Sequence, residues 1–388
     1  MNPSSVTTAA ILTAWLLLTG CAGKTFNSSP LPAEELSAVD SLFADYDRPD
    51  SPGASVIIIQ GGQAVLSRAY GLADLKTGER ATPETHYRLA SLSKQFTATA
   101  IMLLVEEGKL RYDDRVVEVL PGFPAYLSEV RIRHLLQHTS GIWDYEDFVP
   151  STQAVQVKDR DVLALLSRAD RTYFAPGTAV RYSNSGYAVL ALIVEQVSGT
   201  PFARFLHDRV FKPIGMGTTV AYEAGISTVP LRAYGYVIGP EGFSPRDQSP
   251  TSAVLGDGGI YSSVAELRAW DTALDRHMLV REETQRLAWT APSLPDGTST
   301  RYGFGWFVDE DEGKRRLTHH GETSGFTNAI VKYPEQRLTV IVLTNRAGGE
   351  PWRIAQKLAD RWLPPGPEGR HAPVETRVWP FESMANAH

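Results

Sequence analysis

The segments able to form strands lie at the two ends of this chain, and that placement restricts its fold more than any other feature. Near the N-terminus, SVIIIQ (55–60) and AVLSRAYG (64–71) are apolar, β-branched runs separated by Gly61-Gly62-Gln63, a hairpin turn. A helix is expected just before them, near residues 33–46. Strand signals return only late, in GFGWFVD (303–309), RRLTHHG (315–321), FTNAIVKYP (326–334) and LTVIVLTN (338–345). The middle, from about 113 to 219, reads as mostly helical and includes DVLALLSRA (161–169) and SGYAVLALIVEQVSG (185–199). Further on, a Gly-rich turn at 254–259 leads into a helix, with Ser263 and Glu266 spaced as a capping box. The expected fold class is therefore α+β. One antiparallel sheet is built from both termini and flanked by helices, the helical middle is an inserted lobe, and the cleft between them is the place for a site.

Composition narrows the function. The chain has 388 residues, 43% hydrophobic and 21% charged, with a net charge of −6 and no long basic run. Nucleic acid is excluded as a partner, because binding phosphates needs clustered Lys and Arg. AAILTAWLLLTGC (9–21) is too short for a comfortable membrane span and fits the apolar core of a signal peptide, although no Lys or Arg precedes it. Leu18-Thr19-Gly20-Cys21 resembles the lipobox of bacterial lipoproteins, which implies lipidation of Cys21 and anchoring to a membrane. Ala22 rather than Asp follows the cysteine, which favours the outer membrane and a periplasmic location. Cys21 is the sole cysteine, so no disulfide is expected. The organisation expected is a signal peptide over 1–21, a polar tether over 22–36, one folded domain over 37–362 and a Pro/Gly-rich tail over 363–388, in which Trp379 and Phe381 could pack.

The chemistry begins in RLASLSKQFTATAIMLLVEEGKL (88–110). Apolar residues recur at helical spacing after Lys94, and no Gly or Pro intervenes before Gly108, so a helix is expected from about Ser91 to Glu107. Three residues apart, Ser91 and Lys94 share a face, and hydroxyl and ammonium can touch. Alone, the pair could equally be a helix cap followed by a solvated lysine. Two further motifs follow in order. Tyr182-Ser183-Asn184 lies on a loop at a helix start, and His319-His320-Gly321 lies on a late strand, followed by Glu322.

With S-x-x-K, Y-x-N and H-x-G in this order, the chain resembles the serine β-lactamase and D,D-peptidase superfamily. Within it, the likeness is to the branch of class C β-lactamases, D-alanyl-D-alanine carboxypeptidases, D-aminopeptidases and β-lactamase-like esterases. IRHLLQHTSGI (132–142), FAPGTAVRYSNSGYAVL (174–190), FKPIGM (211–216), GGIYSSVAEL (258–267) and YGFGW (302–306) support it over about residues 37–362. The resemblance implies a β-lactamase/transpeptidase-like fold and an exported serine hydrolase working through an acyl-enzyme. Ser91 would be the nucleophile, and Lys94 and Tyr182 would share the base role. A hydroxyl needs such a base, and Lys94 can serve only if burial or a nearby positive charge lowers its pKa. The oxyanion hole would be the backbone N–H groups of Ser91 and Glu322, the latter after Gly321, and Asn184 would bond the acyl side of the substrate. The helix start at Ser91 adds partial positive charge there.

His319 departs from the lysine of many β-lactamases. A neutral imidazole attracts an anionic penicillin less than a lysine does, so weak carboxylate recognition is expected. That favours cleavage of esters or amides, including D-amino-acid peptides, over a dedicated β-lactamase. A true class C-like β-lactamase, a D,D-carboxypeptidase, or a penicillin- or cell-wall-binding protein with little turnover are the alternatives. No metal or other cofactor is expected. His134 and His138, four apart, read as packing residues, Asp257 as turn chemistry, and Trp143, Tyr145 and Tyr222 as loop aromatics that could line the cleft.

Overall fold

A computed structural model of the chain describes residues 1, 31–365 and 371–374. The expected signal peptide, Cys21, most of the tether, Trp379 and Phe381 lie outside the described residues. A helix, α1 (Ala33–Leu42), already begins inside the segment expected to be tether.

The sheet is made from both ends of the chain. The hairpin β1 (Ala54–Gln60) and β2 (Gln63–Tyr70) joins the late strands β3 (Phe307–Asp311), β4 (Lys314–Thr323), β5 (Phe326–Tyr333) and β6 (Leu338–Thr344). The six strands run in the order β3-β4-β5-β6-β1-β2. β1 pairs antiparallel with β6, from Ala54 opposite Thr344 to Gln60 opposite Leu338. That seam explains the unbroken apolar run in β1: the strand is central and covered on both faces. Ile57 and Ile59 enter the core shared with Ile330, Ile341 and the helices of the middle region. Val56 and Ile58 point the other way, into a core with Val39 of α1 and Ala355 and Leu358 of the C-terminal helix Pro351–Trp362. Burying an isoleucine side chain in this way is worth about 1.5–3 kcal/mol.

Every regular element between 113 and 219 is helical, the longest being Asn184–Ser198. Two local expectations shift. The strand expected from 303 starts at Phe307, because Gly305, at φ +77°, packs directly on the helix that carries Lys94. A Cβ on Gly305 would sit 2.8 Å from Gln95 Cα. The Ser263–Glu266 capping box is half formed: Ser263 accepts from Glu266 N–H at 3.2 Å, but the Glu266 carboxylate bonds Thr218 and Thr219 instead.

Candidate active site

Ser91 does not sit in the α-helix itself. It occupies a 3-10 turn, Ala90–Ser93, that feeds α2 (Lys94–Glu106). Ala90 holds a left-handed φ of 51°, a conformation that costs a residue with a Cβ about 1–2 kcal/mol and persists only when neighbours impose it. The neighbours are identifiable. Asn328 of β5 donates to the Arg88 carbonyl at 2.8 Å, and Leu89 N–H donates to Ile260 at 2.8 Å. β4 presses against the turn at Gly321, where a Cβ would stand 2.2 Å from the Leu89 carbonyl oxygen. Glycine in the H-x-G motif thus lets the strand lie against the turn that presents Ser91.

Lys94 is fully enclosed, and its three donors are all used. Nζ lies 2.9 Å from Ser91 Oγ, 2.8 Å from Asn184 Oδ1 and 2.9 Å from the Asp257 carbonyl. Burial pushes its pKa down to about 8, against the opposing pull of Asp257, Asp144 and Glu146. A lysine so placed reaches its neutral form far more readily than one in water.

The Tyr182–Asn184 loop comes in from the opposite side. Ser183 caps the helix Asn184–Ser198, accepting from Gly186 N–H, and so fixes Asn184 at its first position. Asn184 N–H donates to Asp144 Oδ2 at 2.7 Å and its Nδ2 to Glu146 Oε2 at 3.3 Å, which leaves Oδ1 to face Lys94. Burial, then the charge of Glu146, pushes the Asp144 carboxyl up to about 6. The Tyr182 ring lies 4.9 Å from Lys94 Nζ. Among the described residues its buried hydroxyl has no hydrogen-bond partner. Burial pushes this phenol far up, and the Ser91 hydroxyl nearby opposes that shift without closing a hydrogen bond.

A cleft of about 310 Å³ opens over Ser91, with Asn184, Glu146, Arg88, Asp257 and Glu322 among its walls. The structure brings Ser91, Lys94, Tyr182 and Asn184 together here and sets Glu322 on the far rim, exposed. His319 is placed differently from the expectation that it contacts substrate. It is 1% exposed; Nδ1 donates to the His320 carbonyl at 2.7 Å, which leaves Nε2 to accept from Tyr302 Oη at 2.9 Å. Burial, then the neighbouring His320 and Lys94, holds it well below the usual histidine pKa. As placed, it offers a substrate neither a free nitrogen nor a charge.

Sequence reasoning passed over several members of the site. Asp257 is buried, and its carboxyl accepts from Tyr145 Oη at 2.8 Å while its carbonyl holds Lys94. Burial pushes that carboxyl well up. Of the aromatic candidates only Tyr145 lines the cleft. Trp143 stacks on Tyr173 and donates to the Arg171 carbonyl, and Tyr222 packs on Tyr261 beside another groove. Asp144 and Glu146 carried a local signal, two carboxylates flanking an aromatic in a loop, but the residue they hold at the site, Asn184, lies about 40 positions further on. His134 and His138 make separate backbone contacts, Nδ1 of each accepting from Arg131 and Ser183 N–H respectively.

Comparison with known proteins agrees with this geometry. A sequence model of the Beta-lactamase family matches residues 39–361. A penicillin-binding protein of Bacillus subtilis is 32% identical over 323 residues, covering 79% of this chain and 71% of its own length. A D-aminopeptidase of Brucella anthropi is 30% identical over 324 residues, which are 81% of this chain, and the chain spans 60% of that relative. The solved structure of an octameric penicillin-binding protein homologue from Pyrococcus abyssi aligns with a TM-score of 0.75 at 28% identity, over 87% of this chain and 78% of that one. The β-lactamase/transpeptidase-like fold and a match spanning every residue of the site lead to one conclusion: the chain belongs to the Beta-lactamase family.

Proposed function

We propose that this protein is a serine hydrolase that cleaves ester or amide bonds through a covalent acyl-enzyme on Ser91. The observation that carries the reading is the 2.9 Å contact between Lys94 Nζ and Ser91 Oγ at the floor of the cleft. Neutral Lys94 takes the hydroxyl proton as Oγ attacks the substrate carbonyl. The tetrahedral oxyanion lies between the N–H groups of Ser91 and Glu322. Its collapse expels the alcohol or amine, which leaves with a proton passed from the lysine ammonium by way of Tyr182. Water then attacks the Ser91 ester, releases the acid and returns the proton to Oγ. Asn184, its amide oriented by Lys94 and Glu146, bonds the acyl side of the substrate.

The walls of the cleft favour one substrate class. Glu146 and Glu322 are exposed at its edge, while the Arg88 guanidinium is turned onto Gln248 and the Ser252 carbonyl. An amine-bearing amide or ester suits this edge better than an anionic penicillin, a preference in keeping with a D-aminopeptidase among the relatives. A lipid on Cys21 would place the enzyme at the periplasmic face of a bacterial membrane.

The test compares wild type with Ser91→Ala on a p-nitrophenyl ester and a chromogenic cephalosporin, with intact mass taken at each time point. Ester turnover lost in Ser91→Ala, with poor cephalosporin turnover, supports the proposal. Fast cephalosporin turnover makes the protein a β-lactamase, a stable adduct makes it a penicillin-binding protein, and equal activity in both proteins removes Ser91 as nucleophile.

A further inference from the structure

We propose that His138 is the positioning residue for Tyr182, gripping its backbone from both sides and its ring from one face; this rests on the serine-hydrolase reading above. The tip of Tyr182 is not what holds it. Among the described residues its buried hydroxyl has no hydrogen-bond partner, so the place of the ring over Ser91 and Lys94 is set by its stem together with the rings packed on it, Phe307 and Tyr302 among them.

The stem is held by one residue. The N–H of Arg181, just before Tyr182, donates to the His138 carbonyl at 2.9 Å. The N–H of Ser183, just after it, donates to His138 Nδ1 at 3.1 Å. The Tyr182–Ser183 peptide plane is thereby fixed and the chain is anchored again at the Val180–Arg181 plane, one residue before Tyr182, which together restrict the direction of its Cα–Cβ bond. The imidazole also lies 4.2 Å from the Tyr182 ring, centroid to centroid, which restricts its rotation about Cα–Cβ. Tyr302 at 4.4 Å and Tyr187 at 5.3 Å pack on the imidazole in turn.

Several features fit a residue built for this task. His138 is 1% exposed and sits just past the short helix Ile132–Leu136 with a left-handed φ of 57°. That backbone turn sends both its carbonyl and its ring toward the loop at 181–183. A peptide N–H can only donate, so Nδ1 must be the unprotonated nitrogen and the ring proton resides on Nε2. Protonating Nδ1 would set two donors against each other and release Ser183. Burial, then the charge of Lys94, keeps the imidazole neutral and the contact intact.

Asparagine is the conservative replacement. Its Oδ1 stands the same number of bonds from Cα as Nδ1 does, and it tolerates positive φ. Leucine keeps apolar bulk and removes the acceptor. Turnover of p-nitrophenyl acetate by the full-length protein is measured for wild type, Ser91→Ala, Tyr182→Phe, His138→Leu and His138→Asn, and for each His138 variant combined with Tyr182→Phe. His138→Leu is expected to lower kcat by about 10²-fold with KM nearly unchanged, the loss that a misplacement of about 1 Å produces. His138→Asn is expected to recover about tenfold of that loss, and in the Tyr182→Phe background either change costs less than about threefold. Equal losses in both backgrounds overturn the proposal, because a residue that only supports the fold acts whether or not the Tyr182 hydroxyl is present. If His138→Leu does not fold, the cycle with His138→Asn is judged by the same criterion. Activity retained in Ser91→Ala instead overturns the nucleophile assignment, and so separates that failure from this one.

Discussion

Lys94 holds Ser91 at 2.9 Å while burying its own charge completely. These two facts set a pH dependence. Burial pushes the lysine down to about 8, so below that pH most molecules carry an ammonium that cannot accept the Ser91 proton. The active form gains population as pH rises. We therefore expect kcat/KM for an ester to climb about tenfold per pH unit on the acid side and to level off near the lysine pKa. Lys94→Arg places an always-charged guanidinium there and is expected to abolish the climb and lower the rate by about 10²–10⁴-fold. A pH–rate profile of both proteins checks this. A profile flat from pH 6 to 9 in wild type would remove Lys94 from the base role.

Tyr182 takes a different part. Burial pushes its phenol far above the ordinary tyrosine range, so it keeps its proton in the resting state. Tyr182→Phe should lower kcat by about 10²–10⁴-fold and leave the midpoint of the acid limb where Lys94 sets it. Stopped-flow acylation across pH distinguishes the two residues. A midpoint that moves in Tyr182→Phe would show that the pair titrates as one unit.

Gly321 has no room for a side chain. An added Cβ would lie 2.2 Å from the Leu89 carbonyl oxygen, a backbone atom of the segment leading to Ser91, so Gly321→Ala must push β4 and the 3-10 turn apart. We expect a stability loss of about 1–3 kcal/mol, the usual cost of overpacking, and a fall in kcat larger than that loss explains, because Ser91 moves with the turn. Urea melts and turnover on the same preparation test it. Full activity at reduced stability would mean that the turn relaxes without moving Ser91.

These relationships also show what the sequence could disclose. Ser91 and Lys94 were legible because their contact is local, three residues along one chain direction, and the sheet was legible because central strands require continuous apolar runs. Tyr182 and Asn184 were recognisable only through the resemblance that the three ordered motifs carry, since Y-x-N at a helix start is by itself ordinary turn chemistry. The rest of the site joins across long separations that no local pattern records. Asp144 reaches Asn184 across 40 residues, and the Asp257 carbonyl reaches Lys94 across 163. Asp257 looked like turn chemistry because it stands among glycines; it lies in a one-turn helix, Leu255–Gly258, and only the packing of that helix on α2 makes it part of the site. His319 was expected at the substrate because the resemblance sets it at the position where many β-lactamases have lysine. The aromatic packing that encloses it, Tyr302 and Phe307 foremost, comes from the adjoining YGFGWF segment.

The edge of the cleft yields the last prediction. Glu146 is exposed, and its Oε2 accepts from Asn184 Nδ2 at 3.3 Å, which sets the carboxylate beside the position proposed for the acyl side of the substrate. A free ammonium on that side would sit near this charge, and an acetylated amine would not gain from it. Glu146→Gln keeps an acceptor for Asn184 and removes only the charge. KM for D-alanine p-nitroanilide is therefore expected to rise about 2- to 5-fold, the range for a solvent-exposed ion pair, while KM for the N-acetyl derivative stays put. Added salt should narrow the difference in the wild type, because an exposed pair is screened within about 10 Å at 0.1 M. Steady-state kinetics on the two anilides at low and high salt decide the matter. Equal changes for both substrates would mean that Glu146 serves Asn184 and not the substrate, and the proposed preference for amines would then have to rest on Glu322 alone.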